Sequence, residues 1–396
     1  MYEVVTRKQI RDSIKAINQD TCNRCLSHNL LQDYNGIKYC LDCYQYLEIN
    51  NQMYLLRRER EYEHINHPLE LDFDLTQEQT TGSNFLVNCF LKRKNAFLQA
   101  VCGAGKTEMS LALIHMLLNE FKTIAFVIPR VEIIKQVSLR MSQYFPKTSI
   151  STLYSGQTLK EDSQLIILTP QQLIKFYREF DLMIIDEVDA FPFLNNPFLE
   201  RLVKKSKKES AVLIYMSATI TEGFKKEIKN KNLEFHLIPR RYHNRDLEVP
   251  VFLKIGGFND YVVLEIVRDY VIQKKPLIIY VSSIFKGELL LEKLNEFKVD
   301  LISSKTKYKK AVIKAFKDKN LDILISTTIL ERGITFNVVN VIVLEADKEV
   351  FNEASLIQIA GRVGRVKTEG DIIFMSRFKS KAMVSAKKKI INFNNS

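Results

Sequence analysis

The sequence lacks an apolar run long enough to cross a membrane. The best candidate, Ala211–Ala218, is far shorter than the roughly 18 residues that a spanning helix needs. The first residues also lack the apolar core of a signal peptide. Low-complexity tracts and short repeats are missing too, and 46% hydrophobic against 26% charged residues excludes a largely disordered chain. We therefore expect a cytoplasmic protein without a transmembrane segment.

Acidic residues are too few to balance the basic ones. The chain has 58 Lys and Arg against 46 Asp and Glu, which gives a formal net charge of +12. Such a surplus favours a polyanionic partner, either nucleic acid or an anionic membrane surface, although a lysine-rich proteome would also produce it. The length of 396 residues suggests two or three domains.

Short apolar runs alternate with amphipathic stretches along most of the chain. This alternation predicts an α/β fold with parallel sheets covered by helices. It occurs twice, so we expect a small module at 1–66, a first domain at 67–240 and a second domain at 241–396, joined by the polar stretch 238–250. The predicted strands are Ala96–Leu98, Ile124–Ile128, Leu165–Leu168, Leu182–Ile185, Val212–Met216, Leu277–Val281, Leu301–Ser303, Ile323–Ser326, Val341–Leu344 and Ile372–Met375.

The charged stretch Gln45–His67 mixes both signs at high density. This composition predicts a solvated helix that ends before Pro68, with His64 and His67 exposed.

Four of the six cysteines are clustered as two Cys-x-x-Cys pairs. This spacing is typical of a tetrahedral zinc site, which is usually structural. Asn35-Gly36 between the pairs predicts a hairpin turn. We expect His28 to be a surface residue, and Cys89 and Cys102 to be packing residues. The predicted zinc ligands are Cys22, Cys25, Cys40 and Cys43.

Residues 100–107 read Ala-Val-Cys-Gly-Ala-Gly-Lys-Thr and lie between a predicted strand and a predicted helix. This is the context of a phosphate-binding loop. Gly103 and Gly105 would let backbone N–H groups point at phosphate oxygens. Lys106 would reach the β- and γ-phosphates, and the Thr107 hydroxyl would hold Mg²⁺. Ala100 stands where the general pattern has its first glycine.

A second motif, Met183-Ile184-Ile185-Asp186-Glu187-Val188-Asp189, ends an apolar strand in acidic residues. It would put carboxylates at the carboxyl edge of the parallel sheet, where ligands bind. We expect Asp186 to hold Mg²⁺ and Glu187 to polarise the attacking water.

Further segments accompany these two motifs in the order found in superfamily 2 helicases and translocases, and the chain resembles that superfamily over about 71–376. The resemblance implies two tandem RecA-like P-loop domains with parallel sheets behind a small N-terminal zinc-binding module. It also implies that Pro129-Arg130 and Thr169–Leu173 contact the nucleic-acid strand. The other matching segments are Leu75–Gln79, Ser217–Thr219, Tyr280–Ser283, Thr327–Gly333 and Gln358–Arg365.

The same resemblance implies a role for each site residue. Gln79 would read adenine, and Arg362 and Arg365 would stabilise the γ-phosphoryl group when the two domains close. The implied catalytic residues are Lys106, Asp186, Glu187, Arg362 and Arg365. The implied nucleotide-binding residues are Gln79, Gly103, Ala104, Gly105, Lys106, Thr107, Glu108, Gly333 and Gln358.

A four-cysteine module directly ahead of a compact motor resembles the ComFA family, the competence-associated motors of Gram-positive bacteria. This resemblance implies an ATP-dependent translocase that moves single-stranded DNA to power the import of transforming DNA. The implied cofactors are ATP, Mg²⁺ and Zn²⁺. The implied partners are single-stranded DNA, the ComEC channel, ComFC and DprA-type proteins, with the protein peripheral to the inner face of the cell membrane.

Two other functions remain open from the sequence. Primosomal PriA-like helicases share the Gln-x-Ala-Gly-Arg-x-Gly-Arg segment, but they carry a large N-terminal DNA-binding domain and place their cysteines in the second half. An ATP-gated DNA-binding assembly factor without translocation would need the same motor motifs. DEAD-box RNA helicases fit less well, because their acidic motif ends in Ala-Asp where this chain has Val188-Asp189.

Overall fold

The computed structural model describes residues 2–5, 13–63, 65–189, 191–193, 195–330, 336, 339–364 and 370–396. The chain divides into two compact units. The first comprises Met1–Gln99 and Lys106–Leu237, and the second comprises Ala100–Gly105 and Ile238–Ser396. Within the described residues, none of the helices has the length and hydropathy of a membrane-spanning segment.

A seven-stranded sheet forms the centre of the first unit. Its strands are β8 (Ala96–Ala100), β9 (Ile124–Val127), β10 (Ile150–Leu153), β11 (Leu165–Leu168), β12 (Phe180–Asp186), β13 (Lys207–Ser217) and β14 (Glu234–Ile238). Their order is β10-β11-β9-β12-β13-β8-β14. All residues of β8, β9 and β11 are buried. Burial of both faces is what a parallel sheet covered by helices requires.

Helices surround this sheet, and several begin at a side-chain cap. The Thr76 hydroxyl accepts a hydrogen bond from the Gln79 N–H, and Asn196 accepts one from the Leu199 N–H. The helices are α1 (Gln77–Leu91), α2 (Lys106–Met109), α3 (Leu111–Asn119), α4 (Val131–Tyr144), α5 (Pro197–Ser206) and α6 (Glu222–Lys229), with a 3₁₀ helix at Pro170–Lys175.

The N-terminal part of the first unit consists of short antiparallel strands. The strands are β1 (Tyr2–Val5), β2 (Ser13–Lys15), β3 (Ile17–Asn18), β4 (Thr21–Cys22), β5 (Leu30–Gln32), β6 (Lys38–Cys40) and β7 (Tyr54–Arg57). The predicted hairpin is confirmed, because β5 pairs antiparallel with β6 across a turn in which Gly36 has a φ of 80°. Only glycine adopts such an angle without strain.

The helix predicted over Gln45–His67 is wrong. β7 lies within this stretch and pairs with β1 and β2. Beyond it, Arg60 forms a buried ion pair with Glu179, 2.7 Å between Nη2 and Oε1. The charges of this stretch therefore include a packing contact, where a solvated helix face was expected.

The predicted exposure of His67 is also wrong. The ring is buried between the Thr148 hydroxyl, 2.9 Å from Nδ1, and the Gln164 Oε1, 3.0 Å from Nε2. Burial lowers the pKa of this imidazole. His64, for which exposure was also predicted, lies outside the described residues.

The second unit has its own parallel sheet. Its strands are β15 (Val251–Lys254), β16 (Leu277–Tyr280), β17 (Val299–Ile302), β18 (Ile323–Ser326), β19 (Asn340–Leu344) and β20 (Ile372–Ser376), in the order β15-β20-β19-β16-β18-β17. The helices are α7 (Tyr261–Ile272), α8 (Ile284–Lys293), α9 (Lys309–Lys317), α10 (Glu353–Ala360) and α11 (Lys381–Asn394). The predicted α/β fold with parallel sheets is thus confirmed.

Candidate ATP site and cysteine cluster

The phosphate-loop residues connect β8 to α2, as the motif requires. Gly103 and Gly105 have φ angles of 85° and 83°, in the left-handed region that favours glycine. Lys106 and Thr107 follow as the first residues of α2. The loop therefore has the backbone form that aims N–H groups at a phosphate.

Lys106 and Asp186 lie close together in the first unit, with 4.0 Å between Nζ and Oδ1. Asp186 ends β12 and is buried, as is Thr107 at the start of α2. A lysine, a hydroxyl and a carboxylate are the groups that hold a nucleotide phosphate and its magnesium ion. The residues present therefore fit a Mg²⁺–ATP site.

Glu187 has a φ of 53°, an uncommon angle for a residue with a side chain. Its carboxylate lies beside Arg130, with 3.9 Å between Oε2 and the arginine Nε. This contact follows from the sheet, because Arg130 precedes α4 just after β9, and β9 pairs with β12. A residue predicted to contact the nucleic-acid strand thus lies against the residue predicted to polarise water.

The segment Ser217–Thr219 also contacts the acidic motif. The Thr219 hydroxyl donates a hydrogen bond to Asp189, and the Ala218 carbonyl accepts one from Gln99 Nε2 at 3.1 Å. Because β13 pairs with β12, this contact connects neighbouring strand ends. The segment and the acidic motif are therefore in direct contact.

Two residues assigned to nucleotide binding have structural partners of their own. The Gln79 Oε1 accepts the Thr76 N–H at 3.0 Å, which completes a capping box at the start of α1. Glu108 in α2 forms an ion pair with Arg140 in α4. The spacing Thr76-x-x-Gln79 is typical of a capping box, so the contact of Gln79 could have been predicted from the sequence, but it was not.

In the second unit, α10 carries Gln358, and Arg362 follows its end. Both side chains are buried, and Arg362 is only 1% exposed. Gln358 accepts a hydrogen bond from the Cys102 thiol, 2.8 Å from Sγ to Oε1. Cys102 belongs to the loop residues that group with this unit, and its burial fits the expected packing role. Ala104 is buried in the same loop.

Two predicted site residues, Gly333 and Arg365, lie outside the described residues. Their roles in nucleotide binding and catalysis stay predictions from the sequence.

Four cysteines of the first unit form a buried cluster. Their sulfur atoms all lie within 4.8 Å of one another, with 3.9 Å between Cys22 and Cys43 and 3.5 Å between Cys25 and Cys40. These distances are too long for disulfides. They are close to the roughly 3.8 Å edge of a tetrahedron with zinc–sulfur bonds of about 2.3 Å. The cluster therefore fits a Zn²⁺ ion, and His28 lies outside it as an exposed residue.

The hydrogen bonds among these thiols shift their acidity. A hydrogen bond from the neighbouring Cys25 thiol lowers the pKa of Cys22, which favours a thiolate at Cys22. A thiolate is the form in which cysteine binds a metal. Because the same hydrogen bonds raise the pKa of Cys25 and Cys43, the fit to a metal ion rests on the positions of the four sulfur atoms.

Known protein families match both motor regions. The family model for the type III restriction enzyme, res subunit, matches residues 72–222, and that for the helicase conserved C-terminal domain matches residues 262–367. The chain is similar in fold to RecG bound to a three-way DNA junction, with a TM-score of 0.59 and 22% identity, over 83% of this chain and 48% of that one. Dbp5 of Saccharomyces cerevisiae, bound to RNA and ADP BeF3, has a TM-score of 0.58 at 18% identity, over 81% and 92%.

Two curated proteins match almost the whole chain. Competence protein ComFA of Streptococcus pneumoniae is 34% identical over 387 residues, 93% of this chain and 89% of that protein. Competence protein ComFA of Bacillus subtilis is 32% identical over 401 residues, 94% and 85%. With the helicase families, these matches identify a DNA-dependent ATPase of helicase superfamily 2. The chain belongs to the ComFA family of competence proteins.

Proposed function

We propose that the protein is an ATP-dependent translocase that moves single-stranded DNA during the import of transforming DNA. The observation that carries the proposal is the 3.9 Å contact between Arg130 and Glu187. A DNA phosphate at Arg130 would compete with Glu187 for the guanidinium group. Strand binding would then release the Glu187 carboxylate, which polarises water, from its contact with Arg130. In this way strand binding would be coupled to ATP hydrolysis.

In this function, Lys106 binds the β- and γ-phosphates, and Thr107 and Asp186 hold Mg²⁺. The metal ion, when bound, neutralises charge that develops on the phosphates. Glu187 orients the attacking water, and Arg362 and Arg365 stabilise the transferring group. Gln79, whose orientation is set by the capping box, and Gln358 complete the nucleotide site.

The cysteine cluster holds one structural Zn²⁺ in this proposal. Its four sulfur ligands leave no coordination position open, as in closed structural sites. Elemental analysis of freshly reduced protein should find about one zinc per chain. Replacement of Cys40 and Cys43 by serine should release the metal but leave ATP binding in place.

The decisive experiment measures translocation time against strand length. Oligo-dT strands of increasing length, labelled at one end, are mixed with protein and ATP. A translocase produces a signal whose delay grows with length, whereas an ATP-gated assembly factor produces one delay for all lengths. The Lys106→Ala variant is the control without turnover.

Competing strands separate the remaining functions. Equal stimulation of ATP hydrolysis by RNA would favour an RNA helicase, and a preference for forked DNA would favour a PriA-like helicase. Partner binding by the ComEC channel, ComFC and DprA-type proteins at the inner membrane face belongs to the same proposal. The support for it is the name of the two ComFA relatives as competence proteins.

A further inference from the structure

The cysteine cluster shares one hydrophobic core with the first motor sheet. Ile17 and Ile49 of the N-terminal part belong to the same buried cluster as Phe176 and Phe180 near β12. The Tyr46 ring also stacks on Phe198 of α5, with 5.6 Å between ring centroids and 4° between planes. Movement at the cysteines is therefore transmitted to the packing of the motor unit.

A buried lysine connects the cluster to a strand-contacting segment. Lys205, in the last turn of α5, is only 2% exposed. Its ammonium donates hydrogen bonds to the Arg24 carbonyl at 2.7 Å and to the Ile174 carbonyl at 2.8 Å. Arg24 precedes the ligand Cys25, and Ile174 lies in the 3₁₀ helix Pro170–Lys175. One side chain thus bridges a cysteine pair and the 3₁₀ helix that contains most of Thr169–Leu173, the segment expected to contact the strand.

The charge of Lys205 suits a position beside a metal–thiolate centre. Burial and the nearby positive charge of Arg24 lower the pKa of Lys205 to about 7, against the opposing effect of charge on Cys25, Cys43 and Cys22. Four thiolates around one zinc ion carry a net negative charge, and a buried ammonium nearby offsets it. Loss of the metal would remove this balance and free the Arg24 carbonyl to move.

A second basic residue of α5 provides a natural comparison. Arg201 forms an ion pair with Asp42, between the ligands Cys40 and Cys43, and its Nε lies 3.4 Å from the Cys25 carbonyl. Both residues join α5 to the cysteine cluster. Of the two, Lys205 is the one whose hydrogen bonds extend to the strand-contacting segment.

We propose that Lys205 is a positioning residue that couples zinc binding at the cysteine cluster to single-strand binding at Thr169–Leu173, through the 3₁₀ helix Pro170–Lys175. The inference rests on the proposed function, because it requires this segment to contact single-stranded DNA. With the metal in place, Lys205 holds the Ile174 carbonyl, and with it the segment, in its binding geometry. Without the metal, the segment loses this support and the strand binds more weakly.

Thermodynamic linkage supplies the test. If zinc raises the affinity for a strand by some factor, the strand must raise the affinity for zinc by the same factor. Oligo-dT affinity is measured with zinc-loaded and zinc-depleted full-length protein. Zinc affinity is measured by competition with a chelator, with and without saturating oligo-dT. We expect a wild-type factor of about tenfold in both directions, within the usual range of such couplings.

Variants assign this factor to one residue. In Lys205→Met, which keeps the apolar stem but removes the donors, the factor should fall to near one while one zinc still binds. Lys204→Met, at the exposed neighbour, and Arg201→Gln should keep the wild-type factor. Should Lys205→Met not fold, Lys205→Gln retains a shorter donor and should show a reduced factor.

The outcomes separate the two proposals. A wild-type factor of one, together with tight oligo-dT binding, would overturn the coupling and leave the proposed function intact. An unchanged factor in Lys205→Met or Lys205→Gln would overturn the role of Lys205. Failure of the wild-type protein to bind oligo-dT in either metal state would refute the proposed function, and the coupling with it.

Discussion

The two compact units contain the same arrangement of six strands around different loops. We number the six strands from β8 to β13 as 1 to 6 in chain order. Across the sheet from β10 to β8, they then lie in the order 3-4-2-5-6-1. From β17 to β15, the second sheet has the same permutation. The loop after β8 therefore corresponds to the loop after β15, and the end of β12 to the end of β19. The topology is shared, so the difference between the units lies in their side chains.

In the loop after β15, backbone N–H groups are already hydrogen-bonded to a carboxylate of the chain. The Gly256 N–H donates to Asp260 Oδ2 at 2.6 Å, and the Val262 N–H donates to Asp260 Oδ1 at 3.1 Å. A carboxylate of the chain thus accepts N–H groups at the position where the loop after β8 presents Gly103, Gly105 and Lys106. The comparison of the two loops indicates that this strand order places possible ligand sites at the carboxyl edge of the sheet. Which ligand is accepted there depends on the residues of the loop.

The acidic strand ends, in contrast, are alike. Glu187 after β12 and Glu345 after β19 have φ angles of 53° and 57°. Glu187 lies beside Arg130, which follows β9, and Glu345 forms an ion pair with Lys286, which follows the corresponding β16. The second sheet therefore repeats the pair of charges, but a phosphate loop does not follow its first strand, β15.

The largest effect should come from the loop lysine of the first unit. Lys106→Ala removes the main positive charge on the β/γ-phosphates and should abolish ATP turnover. Lys286→Ala, in the second unit, should leave nucleotide affinity unchanged. Steady-state hydrolysis and nucleotide titrations compare the two folded variants. Near-normal turnover by Lys106→Ala would contradict the assignment of the loop.

The next largest effect concerns an arginine outside the described residues. Arg365→Ala should lower DNA-stimulated kcat by orders of magnitude, as removal of other arginine fingers does. Nucleotide affinity without DNA should change only a few-fold, because the role proposed for this residue is at the transition state. A variant that hydrolyses normally with saturating oligo-dT, or that loses nucleotide binding without it, would show another role.

A smaller effect should come from the pair of Arg130 and Glu187, which we propose links the strand to the polarised water. Arg130→Gln should raise DNA-free hydrolysis several-fold, up to about fivefold, because a partly exposed ion pair is worth up to about 1 kcal/mol. Stimulation by oligo-dT should fall in the same variant. Lys286→Gln is the matched control in the second unit and should leave DNA-free hydrolysis unchanged. Equal DNA-free rates for Arg130→Gln and wild type would argue against the competition between DNA and Glu187.

The strands that could be predicted are those whose apolar runs are uninterrupted. All ten predicted runs overlap observed strands. Most of these strands are apolar because they are buried on both faces of a parallel sheet, whereas β17 carries Asp300 and is only partly buried. Three strands of the two parallel sheets, β10, β14 and β15, escaped prediction, since each carries polar residues. These are Ser151 and Thr152 in β10, Glu234 and His236 in β14, and Lys254 in β15. Edge positions in the sheet tolerate them.

Of the candidate sites, the ligands were predictable and their supports were not. Cysteine spacing alone indicated the cluster, whereas nothing in the sequence distinguishes Lys205 from its neighbour Lys204. Burial of Lys205 depends on the packing of α5 against residues about 180 positions earlier, such as Arg24. Such long-range contacts do not leave a local pattern in the sequence. The helix over Gln45–His67 was wrongly predicted for the same reason, because Arg60 pairs with the distant Glu179.

The smallest effect distinguishes the two glycine loops. Gly257 has a φ of 154°, and an added Cβ would lie 2.7 Å from the Arg377 Nη2. Gly257→Ala should lower the free energy of unfolding by about 1 kcal/mol and leave nucleotide affinity unchanged. Gly103 has a φ of 85° but no atom nearer than 3.7 Å to an added Cβ, so there the backbone angle is the constraint.

Gly103→Ala should therefore reduce nucleotide affinity, since the strained loop would no longer aim its N–H groups at the phosphates. Urea denaturation and nucleotide titration of both variants provide the measurement. If the structural comparison is right, the two variants differ in what they change. Gly257→Ala lowers the free energy of unfolding alone, whereas Gly103→Ala lowers nucleotide affinity. An equal loss of nucleotide affinity in Gly257→Ala would mean that the loop after β15 takes part in ATP binding, and that the two units differ less than their loops indicate.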